Sequence, residues 1–258
     1  MLGYKHNLSQ AQELHKNNYI DQSPMVNEAI QNIFGAYTSI KKARENRAPL
    51  NIELPERKVH IDEKGNVSNI TIKERFDAHK LVEEFMIQAN VAAAESLAEK
   101  NIATLSRLHE APKNEKLKGL ADYLSVLDLK LSLGERTTTQ KLNKLLKKAE
   151  IKGLSESVSM AVLRSQSQAV YDAELKGHFG LNLTHYTHFT SPIRRYSDLL
   201  VHRALINAFD LGKDGSTKSE ISRLKETAEH ISNTERRAMA AERDSKDRYI
   251  ATYLEKQV

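Results

Sequence analysis

The sequence predicts an α+β fold, predominantly helical, with one β-hairpin. Three observations carry this. Apolar residues recur at three- and four-residue spacing through most of the chain, which is the period of an amphipathic helix. Alternation of apolar and polar residues is confined to residues 52–72. The chain has 258 residues, 40% of them hydrophobic, enough to bury a core.

The elements follow in order. Residues 1–22 are polar, with one short helical candidate over 9–16. Ser23 can cap a helix and Pro24 suits its first turn. Val26, Ile30, Ile33, Tyr37 and Ile40 then share a stripe that ends near Arg47, before Pro49. Val59 and Ile61, a turn at 62–66, and Val67, Ile70 and Ile72 read as the hairpin. A long helix is expected over 77–100, with Val82, Phe85, Met86, Ala89, Ala92 and Ala93 as its apolar stripe. The alanines there imply close packing against another element. Helices are expected over 113–127 and 138–149, the second capped by Thr138 or Thr139 and ended near Gly153. Another amphipathic candidate covers 155–171. Residues 177–192 are irregular, with crowded aromatics. Pro192 is expected to open a helix running to about Phe209. Residues 212–216 form an exposed loop, and a last helix covers 219–256, its apolar positions dwindling after Thr234. No internal repeat is visible.

Composition narrows the chemistry. A formal net charge of +5 suits a polyanionic partner, although lysine-rich helix surfaces give the same total. Cysteine is absent, which excludes disulfides and thiolate metal sites and fits a cytoplasmic setting. No apolar run approaches the roughly 20 residues of a membrane helix, and the first ten residues have no apolar signal core.

The densest chemistry lies in residues 185–203. Arg194, Arg195 and Arg203 are accompanied there by one acid, Asp198, and interleaved with His185, Tyr186, His188, Phe189 and Tyr196. Guanidinium groups bind phosphate through paired donors, and flat rings stack on bases. Thr190, Ser191 and Pro192 place hydroxyls and free N–H groups at a helix start, a natural phosphate seat. Composition alone supports equally well an N-capped helix whose arginines pair with acids elsewhere. His178, His185 and His188 admit a zinc reading, the basis of a third, histidine-based metal hydrolase hypothesis, but no carboxylate accompanies them at ligand spacing.

Residues 186–203, YTHFTSPIRRYSDLLVHR, resemble a signature of the ribonuclease II / RNase R family. Glu83–Ile87 through Asn90–Ala94, Leu163–Gln166, Gly177–Gly180 and Ala241–Asp244 resemble that family's segments in the same order, so the likeness runs from about residue 4 to residue 257. The resemblance implies the catalytic RNB domain, binding of single-stranded RNA and its processive 3′-to-5′ hydrolysis to nucleoside monophosphates. It also implies magnesium held by an aspartate cluster that activates water. That cluster has no counterpart here, so the chain, 1–258, is expected to be the C-terminal portion of the domain. A truncated or split gene would then leave the aspartates to a second chain, and the small barrel domains that flank the family's catalytic domain would be missing.

The resemblance further implies roles. Arg194 matches the arginine that reaches the scissile phosphate, and Glu242 a glutamate near the 3′ nucleotide. Tyr186, His188, Thr190, Ser191, Arg195, Tyr196 and Arg203 are expected RNA contacts. At about 100° per residue, Glu83 shares an edge of the stripe with Asn90, and Glu84 points to solvent. Glu83 is therefore expected to meet the ribose, with Asn90 beside it. Many relatives carry Asp-Phe where this chain has Asn51-Ile52, and isoleucine cannot stack on a base. A non-catalytic RNA-binding remnant is the principal alternative to a split enzyme.

Overall fold

A computed structural model describes residues 24–133 and 136–255, and the helix expected over 9–16 lies outside them. The chain runs α1 (Pro24–Arg47), β1 (Arg57–Ile61), β2 (Val67–Ile72), α2 (Asp77–Glu99), β3 (Ser106–Leu108), α3 (Asn114–Val126), α4 (Thr139–Ile151), α5 (Ser155–Ser165), β4 (Val170–Asp172), α6 (Tyr196–Phe209), α7 (Lys218–Ser222) and α8 (Leu224–Glu255). The fold is α+β and mostly helical, as the periodicity predicts.

β1 and β2 pair antiparallel, with Val59 opposite Ile70 and His60 opposite Asn69. Their turn closes on Asp62, whose carboxylate accepts the N–H groups of Lys64 at 2.9 Å and Asn66 at 2.8 Å. Gly65 takes the left-handed conformation the turn requires, with φ of +82°. A second antiparallel pair was not anticipated. β3 and β4 join Arg107 to Tyr171 in a three-residue ladder, so α5 stops at Ser165 rather than running on to Tyr171. Strands this short contain too few alternations to show a period of two.

Four apolar clusters hold the elements. Leu120, Leu124, Leu142, Leu145, Val158 and Val162 make α3, α4 and α5 one helical unit. Ile52 packs against that unit, so its side chain is committed to the core. Phe34, Tyr37, Ala78 and Leu81 join α1 to α2. Ala93, Leu97, Val201 and Ala204 join α2 to α6 through small residues, the close approach the alanines imply. Leu105, Tyr171, Leu200, Leu224 and Ala228 bring the β3–β4 ladder against α6 and α8.

Two helix starts differ from expectation. Residues 192–195 form a turn, and α6 begins at Tyr196. The final helix is broken: a Thr217–Glu220 capping box starts the short α7, and α8 follows from Leu224.

The phase of α2 also differs. Its buried face is Ala78, Leu81, Glu84, Ile87, Asn90, Ala93, Ala94 and Leu97. Val82 and Phe85 are 39% and 37% exposed, and Ala92 is exposed as well. The true stripe therefore passes through a glutamate and an asparagine. Glu84 is buried and receives Arg44 Nε at 2.8 Å and Arg47 Nη2 at 3.6 Å, which ties α1 to α2. Glu83 is exposed and pairs with Arg75. The expected placements of the two glutamates are thus reversed.

Removing one partner from a buried ion pair leaves the other uncompensated, whereas an exposed pair contributes little. Arg44 keeps 34% of its side chain in solvent, so the Glu84 cluster is not fully dry. Glu84→Gln should lower unfolding free energy in urea by about 3 kcal/mol. Glu83→Gln should change it by less than about 1 kcal/mol. Equal losses would contradict this phase of α2.

Candidate functional site

The site is assembled where residues 177–196 cross α2, β3 and the start of α6. Its first part is a loop pinned by two imidazoles. Nδ1 of His109 accepts the Gly180 N–H at 2.9 Å, while Nε2 donates to the Ser167 carbonyl at 2.9 Å. Nδ1 of His178 accepts the Leu181 N–H at 3.1 Å. Both rings must be unprotonated at Nδ1 to make these bonds. A Cβ at Gly177 would stand 2.7 Å from the Leu183 carbonyl oxygen, so the loop closes only around glycine there. The same loop meets the end of α1, where the Leu50 N–H donates to the Gly180 carbonyl at 2.8 Å and Asn182 Nδ2 donates to the Arg47 carbonyl at 2.6 Å.

The second part, residues 186–189, is stitched to α2 by Asn90. This buried amide donates to the Tyr186 hydroxyl at 3.1 Å and accepts the Phe189 N–H at 2.9 Å. On the other side, the Arg107 N–H donates to the Tyr186 carbonyl at 2.9 Å, and Thr187 Oγ1 donates to the Leu105 carbonyl at 2.5 Å. The Tyr171 hydroxyl meets His188 Nδ1 at 2.9 Å. Phe189 stacks on His202 with ring centres 4.3 Å apart. Tyr186 meets His178 and His188 edge-on, with ring centres 5.3 and 5.9 Å apart, so Tyr186 and His188 brace the segment.

The third part is the turn 190–195. The Asp198 carboxylate, with no solvent exposure, accepts the Ser191 N–H at 2.8 Å, Arg195 Nε and Nη2 at 2.8 Å each, and Ser197 Oγ at 3.0 Å. Burial alone would raise the pKa of Asp198; the donors from Arg195, Ser191 and Ser197 outweigh it and hold the group below the usual carboxylate range. Arg195 is consumed by this pairing. Arg194, the next residue back, is exposed and has no side-chain hydrogen bond or ion pair among the described residues. Ile193 beside it is fully exposed, and the Tyr196 ring is half exposed.

Other expected contacts fall elsewhere. Arg203 donates to the Gly215 carbonyl at 2.9 Å and to Glu220 at 3.0 Å, fastening the 212–216 loop to α6. Glu242 pairs with Lys246 at 2.6 Å on the solvent side of α8. Glu83 lies with Arg75, apart from the hydrogen bonds that join Asn90 to the aromatic segment. The structure thus gathers Asn90, Tyr186, His188, Thr190, Ser191, Arg194, Arg195 and Tyr196, and leaves Glu83, Arg203 and Glu242 outside. Asp198 and His109 belong to the site and were not singled out from sequence. The triplet spacing of Arg195 and Asp198 within one motif was the available signal for the first.

The described residues do not fit magnesium. Among the described residues no three His, Asp or Glu side chains are placed to share a metal ion. The two buried carboxylates among the described residues, Asp198 and Glu84, are each paired with arginine.

Burial holds the His178 and His188 imidazoles down to about 3, with neighbouring His109 acting the same way on His178 and Arg195 on His188. Unfolded, each would titrate near 6.5. Their contribution is therefore complete above about pH 6.5 and lost as pH falls below it. Together these two histidines should lower unfolding free energy by about 3 kcal/mol between about pH 7.5 and 5.5, about 1.4 per histidine. His178→Gln should halve that drop in denaturant titrations; an unaltered pH dependence would show that the ring is not held neutral by the fold.

Comparison with known proteins agrees with this architecture. The RNB domain family model matches residues 4–210. Ribonuclease R of Escherichia coli K12 is 35% identical over 233 residues, covering 87% of this chain and 28% of that protein. The apo form of Mycoplasma genitalium RNase R superposes with a TM-score of 0.89 at 25% identity, over 97% of this chain and 40% of that one. Its complex with ribose-methylated single-stranded RNA gives 0.87, at the same identity and coverage. The chain therefore spans less than half the length of these relatives. No helix among the described residues is long and apolar enough to cross a membrane.

Proposed function

The chain belongs to the RNB-domain family, and on that premise we propose that it grips single-stranded RNA at the turn 190–195, as the substrate-holding part of a 3′-to-5′ exoribonuclease site. One observation carries the reading: Arg194 is exposed and, among the described residues, unpaired, on a turn whose Ser191 N–H and Arg195 guanidinium are bound to Asp198. A planar guanidinium so placed offers paired donors to a phosphate at little reorganisation. The neighbouring Arg195 and Arg203 are occupied by carboxylates, so they contribute to the shape of the turn and of α6. The likeness to an RNase R solved with single-stranded RNA supports RNA as the ligand.

Hydrolysis to nucleoside 5′-monophosphates needs a metal-holding carboxylate cluster, which the described residues do not bring together. In this reading the chain alone binds RNA without cutting it, and cutting requires aspartates that the described residues do not supply.

The test is affinity for a labelled oligoadenylate RNA as a function of salt. Each phosphate neutralised contributes about −0.7 to the slope of log affinity against log salt for a single strand. Arg194→Ala should flatten the slope by about 0.7 and weaken different sequences similarly. Arg203→Ala should leave the slope unchanged. An unchanged slope for Arg194→Ala would refute the reading. So would Arg194-dependent release of monophosphates by the purified chain in magnesium, because the chain would then hold a metal site of its own.

A further inference from the structure

We infer that Asp198 is a positioning residue: its carboxylate fixes the turn 191–195 and so sets the direction in which Arg194 is presented to phosphate. The inference rests on the reading of Arg194 as the phosphate contact.

The geometry supports a specific role rather than general stability. Asp198 sits in the first turn of α6 and reaches back across the turn to the Ser191 N–H. The same carboxylate receives the Arg195 fork, with Nε on one oxygen and Nη2 on the other. Ser191, Arg195 and Asp198 thereby form a closed loop of bonds. Within it the Ser191 carbonyl accepts the Arg195 N–H at 3.1 Å and the Arg194 N–H at 3.3 Å. The backbone of Arg194 is therefore held at both sides while its side chain is left free. A paired fork of this kind fixes orientation as well as distance. The arrangement also separates two adjacent arginines by function. Arg195 spends its donors inward on Asp198, and Arg194 keeps its donors for the ligand. Without the carboxylate, Arg195 would compete for the same phosphate and the turn would lose its tie to α6.

The distinguishing experiment is a double-mutant cycle on binding of the same oligoadenylate RNA, using the full chain. Asp198→Asn retains the size of the side chain and removes its charge. Arg194→Ala is measured alone and in the Asp198→Asn background, with circular dichroism confirming that each variant is folded. Alone, Arg194→Ala should lower affinity at least fivefold and flatten the salt slope. In Asp198→Asn the same change should cost less than twofold, because Arg194 is no longer aimed. An equal loss in both backgrounds overturns the inference and leaves the RNA reading intact. No loss in either background overturns the RNA reading itself, and the inference with it. Should Asp198→Asn fail to fold, Arg195→Lys carries the test, since it keeps the charge but removes the two-pronged contact. Arg194→Ala should again lose most of its effect there, and full additivity would overturn the role of Asp198.

Discussion

The buried carboxylate of Asp198 is the constraint on which the site depends. A charge with no solvent exposure is tolerable only when donors surround it, and its four donors come from Ser191, Arg195 and Ser197. Satisfying that charge dictates the path of the chain from Ser191 into α6. It also decides which arginine remains available. The chemistry of the turn thus follows from the solvation of one acid. Asn90 plays the neutral counterpart one layer below, where a single amide holds both Tyr186 and the Phe189 backbone against α2.

This explains how much of the site was legible in the sequence. The motif over residues 186–203 contains the turn, where among the described residues Arg194 has no ion pair or side-chain hydrogen bond. The roles of its neighbours were not legible, because a basic residue in a motif looks the same whether it faces a phosphate or a buried aspartate. Arg195 and Arg203 turned out to face acids. The same ambiguity misplaced the glutamates. A reading of α2 that keeps charge out of the apolar stripe selects Val82, Phe85 and Ala92. The structure instead buries Glu84 and Asn90, because Arg44, Arg47 and Tyr186 supply their partners from elsewhere in the chain. Long-range partners decide such cases, and spacing within one helix does not contain them.

The fold was legible wherever an element was long enough to repeat its period. The hairpin and the helices from α1 to α4 fall where alternation and caps place them, including the Thr138 cap that accepts the Lys141 N–H at 3.3 Å. The β3–β4 ladder was not legible, although it is central: Arg107 within it donates to Glu235 of α8 at 2.7 Å and lies over the Tyr171 ring. In the proposed function, family membership supplies RNA as the ligand, and the exposed Arg194 on its braced turn supplies the grip.

Arginine-selective modification with a dicarbonyl reagent, mapped by peptide mass, tests this narrowing most directly. In the RNA-free chain Arg194 should react quickly, while Arg195 and Arg203, held in bonded pairs, react slowly. Saturating single-stranded RNA should protect Arg194 and leave the other two as they were. Equal reactivity of Arg194 with and without RNA, or protection that falls on Arg195 instead, would contradict the account.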